Sequence, residues 1–340
     1  MTQFAELQLL AGSSLLNPNS VANPDGGIQV KGSQITLERS QISAPTLANS
    51  LGADITIGAS ESLSLQGTTA NDVTSGSQIK SEVSPGASGA GGAVNIETDT
   101  LNIGDRSFIS TMTFGAGDGG NINILAGNIN IIGTGFSEFQ QDFQSAGFIG
   151  TLLPSDRTTG IFTGTVAAGT SGNLTIDASS LNLNNGAVIF SPVFTAGRGD
   201  LNIAAPEINI NASAIQIGTR GNLESAAGDI NLETQRFKIQ DGGMILNITF
   251  GDAAAGDINL TATESIELSN TPPEALLVKG IYANSSFGSG TAGNINIETN
   301  QLKMNNGLIV SNSGSVLSNG TIIGAGGKGG SINIQANRKY

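Results

Sequence analysis

The sequence predicts an all-β protein, a single right-handed parallel β-helix of about ten rungs with three strands per rung. Three observations carry that expectation. A small turn followed by an apolar-polar-apolar strand recurs along the chain, plainest at Gly119-Gly120-Asn121-Ile122-Asn123-Ile124. The recurring glycines at 92, 120, 172, 199, 228, 256, 293 and 330 are spaced by 28, 52, 27, 29, 28, 37 and 37 residues. A unit of about 28 is thus kept or expanded by insertion, as in a solenoid. Within each unit the side chains alternate with period two, which is the period of a strand and not of a helix.

Residues 1–91 are the more loosely patterned part. Asn17-Pro18-Asn19 and Asn23-Pro24-Asp25 punctuate turns before Ile28-Gln29-Val30 with Ile35-Thr36-Leu37. Ile55-Thr56-Ile57 with Leu63-Ser64-Leu65 makes a second early rung. Residues 92–340 are the regular array, and a unit such as Ile230-Asn231-Leu232, Phe237-Lys238-Ile239 and Met244 to Ile248 holds three short strands. Asn-Gly or Asp-Gly hairpin turns do not recur at each corner, so stacking like strands in parallel is what buries the apolar positions.

One inward column is expected to hold Val94, Ile122, Leu174, Leu201, Ile230, Ile258, Ile295 and Ile332. A second holds Leu101, Ile129, Leu181, Ile208, Phe237, Ile266 and Leu302. Between the inward positions lies a polar column, Asn95, Asn123, Thr175, Asn202, Asn231, Asn259, Asn296 and Asn333. Asparagine is disfavoured in strands unless its amides hydrogen-bond from rung to rung, so this reads as a structural ladder. Insertions at roughly 66–77, 133–160 and 270–279 all fall between the second and third strands and should leave by one corner. The segment 133–160 carries Phe136, Phe139, Phe143 and Phe148, at spacings suited to a short helical turn with an apolar face. That patch is either a flap packed onto the β-helix or a contact surface for a ligand or partner.

With 14 basic and 27 acidic residues the net charge is -13, which opposes binding to nucleic acid. The absence of cysteine and histidine removes disulfides, thiolate metal sites and the commonest general base. No cofactor or metal is expected. The glycine-rich runs match neither phosphate loops, which need a following helix and lysine, nor nine-residue calcium repeats. They read as turns that need glycine's backbone freedom. Arg198-Gly199-Asp200 spells an attachment tripeptide, but Gly199-Asp200 is the repeat's own turn, as are Gly228-Asp229 and Gly256-Asp257. The pairs Asp105 with Arg106, Asp156 with Arg157 and Glu233 with Arg236 fall at different phases of different rungs and read as solvated surface, not as an acid-base site.

In Gly91 to Thr98, Ser110 to Ile124 and Gly172 to Gly199 the phrasing resembles the repeats of filamentous haemagglutinin-type two-partner secretion exoproteins, the long cyanobacterial ones in particular. The likeness covers nearly the whole chain apart from 133–160. It implies a non-enzymatic, adhesin-like β-helical shaft, secreted through an outer-membrane pore and displayed outside the cell or at its surface. It also implies contact with cell-surface or matrix ligands, carbohydrate among them. Residues 1–16 have no basic start and contain Glu6, so the export signal is expected upstream, in a longer protein. The final first strand at Ile332 has no second or third behind it, which invites end-to-end association. A polysaccharide lyase or hydrolase is the alternative, since that chemistry also uses parallel β-helices.

Overall fold

Strands in the same phase of successive repeats pair in parallel, which is the only pairing that puts every Ile-x-Ile phrase on the same two faces at once. The computed structural model describes residues 5–18, 26–67, 76–135, 137, 159–194, 197–220, 227–269, 280–286, 289–316, 322–323 and 327–337. Among them a 13-stranded sheet runs in chain order from Leu7–Leu9 to Ile332–Ala336. A 10-stranded sheet runs beside it from Ser14–Leu16 to Leu308–Val310. One short antiparallel pair, Ser315–Val316 with Ile322–Ile323, is the local exception. The chain is a parallel β-helix.

The first two expected strands of a unit usually run on as one. Val94–Ile103, Ile122–Ile132, Leu174–Asn184 and Ile230–Gln240 are single strands of 10 or 11 residues in the larger sheet. They separate at Leu201–Ala204 and Glu207–Asn211, where Pro206 lacks an amide to donate to the ladder. The third strand, as in Met244–Phe250, belongs to the smaller sheet. The remaining side is a chain of isolated parallel bridges through Thr46, Val83, Thr113, Thr165 and Val193.

Corner geometry explains where the insertions sit. Each follows a strand of the larger sheet and precedes one of the smaller: Gln66 to Gln78, Ile132 to Gly160 and Ser269 to Gly280. In other coils the same corner closes in a few residues through a left-handed backbone, at Arg39, Asp105, Asn185, Asp241 and Asn306. A corner that turns outward in this way accommodates added chain without disturbing either sheet.

Register settles the interior. Val94, Ile122, Leu174, Leu201, Ile230, Ile258 and Ile295 follow one another in pairing and have no exposed surface. Ile42, Ile79, Ile109, Ile161, Ile189, Ile215, Ile245 and Ile281 oppose them from the smaller sheet, equally buried. Ile332 departs from the expected core, being 43% exposed. Leu302 is only partly buried. Each is the last described strand position of its column, and among the described residues a strand neighbour covers one side only. A second apolar cluster was not foreseen: Phe108, Phe162, Val188, Phe190, Met244 and Leu246 are buried on the other face of the smaller sheet. Phe108 and Phe162 meet edge to face at 6.0 Å. Strand Met244–Phe250 is therefore buried at every position, and alternation disappears there.

The repeat glycine answers to a different constraint from the one its turn-like setting suggests. None of the eight glycines that mark the repeat has a positive φ. A Cβ on Gly120, Gly172, Gly256 or Gly293 would instead lie 1.9 Å from the carbonyl oxygen of the same glycine one coil earlier. Close stacking of backbone on backbone excludes every side chain there. Gly256→Ala is expected to destabilise the protein by about 3 kcal/mol, because the obstructing atom is backbone and cannot yield. Gly58→Ala, whose Cβ would meet nothing closer than Lys31 Cγ at 3.9 Å, is expected to be neutral or stabilising. Thermal and urea unfolding of the two variants measure the contrast.

Candidate functional site

An alternating strand that hides its apolar side chains must display the others, and here the outward side chains of the larger sheet form continuous columns. In the first, Asn123 Nδ2 donates to Asn95 Oδ1 at 2.8 Å. Asn231 donates to Asn202 and Asn259 to Asn231, each at 2.8 Å. Asn296 donates to Asn259 and Asn333 to Asn296, each at 2.9 Å. Thr175 stands in register between Asn123 and Asn202 with a hydroxyl in place of an amide. A parallel column that the sequence reading did not single out links Asn102, Asn130, Asn182 and Asn209 at 3.0 to 3.3 Å. Its signal was present as a second apolar-Asn-apolar phrase in four successive units, at Leu101 to Ile103, Ile129 to Ile131, Leu181 to Leu183 and Ile208 to Ile210.

A third column occupies the residue after the repeat glycine. The side-chain oxygen of Asn173 accepts the backbone N–H of Asp200 at 2.8 Å. Asp200 accepts that of Asp229 at 2.9 Å, Asp229 that of Asp257 at 2.8 Å and Asp257 that of Asn294 at 2.7 Å. Asparagine and aspartate are interchangeable in this role because each offers a carbonyl-type oxygen. The Asp200 of the Arg-Gly-Asp tripeptide is thereby engaged in the fold, and Arg198 reaches Asp229 at 3.5 Å.

Stacking places Asp200, Asp229 and Asp257 on consecutive coils, an arrangement that isolated acidic pairs in the sequence do not suggest. Partial burial raises the Asp229 carboxyl above the ordinary range, the amide of Asp257 opposes that shift, and the charge of Asp200 adds to it. The charges of Arg198 and Asp257 act in opposite senses and less strongly. Arg236 pairs across coils with Glu207 and with Glu264, the latter at 2.7 Å, and not with Glu233 beside it in sequence. Both pairs are exposed, so each adds little stability. Asp105 and Arg106 form the left-handed corner of their coil. Glu82 is a single acid that accepts the Ser110 hydroxyl at 2.5 Å, and burial pushes its carboxyl up.

Two shallow depressions mark the described surface. One, between Gln29, Leu51, Asp54 and Thr56, has its carboxylate already bound to the amide of Ala93 at 2.7 Å. The other holds Glu97 and Asp99 around exposed Leu125, with no basic residue in its lining. Among the described residues no three acidic side chains are grouped as a metal site. Phe136, Phe139, Phe143 and Phe148 lie outside the described residues, as do Asp156 and Arg157. Comparison with protein-family models, with curated proteins and with solved structures gives no match.

The aspartate column has a measurable consequence. A carboxyl whose folded-state pKa is raised costs nothing while protonated and lowers stability as the pH climbs through that pKa. Asp229→Asn keeps the accepting oxygen, as Asn173 and Asn294 do in the same column. It is expected to raise stability at neutral pH by no more than about 1 kcal/mol, given the exposure of the group. The advantage should vanish once the pH falls below the usual carboxylate value of 3.8, which a Tm series from acid to neutral pH would record.

Proposed function

We propose that this chain is a non-enzymatic, adhesin-like shaft, displayed outside the cell or at its surface as part of a filamentous haemagglutinin-type exoprotein. What supports the reading most is how the polar side chains are used. The asparagine and aspartate columns each bond to the next coil, so groups that a pocket would aim at a substrate are spent on continuity of the stack. The repeat phrasing from Gly91 to Ile124 and Gly172 to Gly199 supplies the family likeness. On this reading an outer-membrane pore exports the full-length protein, and cell-surface or matrix carbohydrate is the ligand class. A net charge of -13 weighs against nucleic acid as the partner.

One observation favours a second reading. Asp200, Asp229 and Asp257 stack on consecutive coils with Arg198 against Asp229, the kind of acid-and-base grouping that a polysaccharide lyase or hydrolase would build on adjacent coils. Two assays on the whole chain separate the readings. The shaft predicts saturable attachment of labelled protein to cells or to a glycan array, with dissolved acidic polysaccharide left intact. Release of new reducing ends or unsaturated sugars, abolished by Asp229→Asn, would replace it with the enzyme.

A further inference from the structure

Along one inward column of the smaller sheet, polar side chains cross the interior to the corner where the repeat glycines stack. Ser81 donates at 3.3 Å to the carbonyl of Ala53, which holds the repeat-glycine place in its coil. Asn247 donates to the carbonyl of Gly228 at 2.9 Å, and Ser311 to that of Gly293 at 2.7 Å. Ser191 makes the same crossing through a second hydroxyl. Its Oγ lies 3.3 Å from Ser171 Oγ, and Ser171 donates to the carbonyl of Gly172 at 3.0 Å.

Between Ser81 and Ser191 the column holds Thr111 and Thr163, in register on consecutive coils. They stand two residues beyond the core isoleucines Ile109 and Ile161 and so point inward with them. Thr111 is 0% and Thr163 1% exposed, and neither hydroxyl has a protein partner. Threonine itself is not the cause. In the same coils Thr113 donates to the carbonyl of Gly117 at 2.7 Å and Thr165 to that of Ala167 at 2.9 Å. The difference lies at the facing corner, where the residue before the repeat glycine is Ser171 in the coil of Ser191 but Gly91 and Gly119 in the coils of Thr111 and Thr163. These two coils have no side chain in the place of the hydroxyl that completes the crossing at Ser191.

We propose that Thr111 and Thr163 each bind an ordered water inside the β-helix, which takes the place of the Ser171 hydroxyl and joins the threonine to the carbonyl of Gly92 or Gly120. An enclosed water needs at least two polar partners, and the hydroxyl and the carbonyl supply them. The water accepts the threonine's hydrogen and donates one of its own to the carbonyl, so both protein groups are satisfied. Room for it is shown by Ile217, which follows Ser191 in the column, carries one carbon more than threonine and is fully buried. Polar crossings then run unbroken from Ser81 to Ser191, beside an isoleucine column that excludes water. The inference concerns the interior and is independent of what the outer surface binds.

Magnetic relaxation dispersion of water oxygen, measured on the whole chain, counts the molecules held inside long enough to tumble with the protein. Thr111→Val and Thr163→Val keep the shape of the side chain and remove the hydroxyl. Each is expected to lower that count and to lower Tm, because the water loses a partner and the glycine carbonyl its bridge. Ser171→Gly recreates at Ser191 the glycine found at 91 and 119, and is expected to raise the count. A Tm raised by Thr163→Val would mean that its hydroxyl had been buried dry; that result, or a count unmoved by all three substitutions, would overturn the proposal.

Discussion

The structure depends on one close contact, the carbonyl of a glycine resting on the α-carbon of the equivalent glycine in the next coil. At Gly120, Gly172, Gly256 and Gly293 the space that a Cβ would need is already filled by backbone. With that corner drawn in, the apolar columns of successive coils stack in register and are buried. Interior side chains reinforce the corner from the opposite wall. Asn247 Nδ2 donates to the carbonyl of Gly228 at 2.9 Å, and the Ser311 hydroxyl donates to that of Gly293 at 2.7 Å. The carbonyls of Gly228 and Gly293 thus gain donors where the backbone turns.

Outside, the same translation from coil to coil turns single residues into continuous lines. Asparagine suits this arrangement because its side chain both donates and accepts, so each amide can serve the coil on either side. Aspartate can only accept when ionised, which is enough where the donor is a backbone N–H, as at Asp200 and Asp229. The result of using aspartate three times in succession is like-charge crowding. At Asp229 partial burial raises the carboxyl most, the charge of Asp200 adds to it, and Arg198 offsets it only in part.

The smaller sheet follows a different rule. Its inner face matches the larger sheet, but its outer face carries Phe108, Phe162, Phe190 and Met244 in buried positions. Strands such as Val188–Val193 and Met244–Phe250 are therefore apolar or uncharged on both sides. This is the ordinary signature of a strand covered on two faces, and it removes the alternation by which the other strands are found.

Periodicity by itself determined the fold class, the inward columns and the first asparagine ladder, because a fixed repeat admits few packings and a period of two assigns each side chain a face. The second ladder at Asn102, Asn130, Asn182 and Asn209 was written in the same phrases and needed only the same reading. Tertiary structure alone decided the rest. Steric overlap between coils, not turn conformation, explains the repeat glycines, and no single coil contains that overlap. Partners such as Arg236 with Glu207 and Glu264 are some 28 residues apart and adjacent only through register. The line of Asp200, Asp229 and Asp257 likewise acquires meaning only when coils are stacked. The physical reason is the same in each instance: these contacts run along the axis of the β-helix, perpendicular to the chain that encodes them.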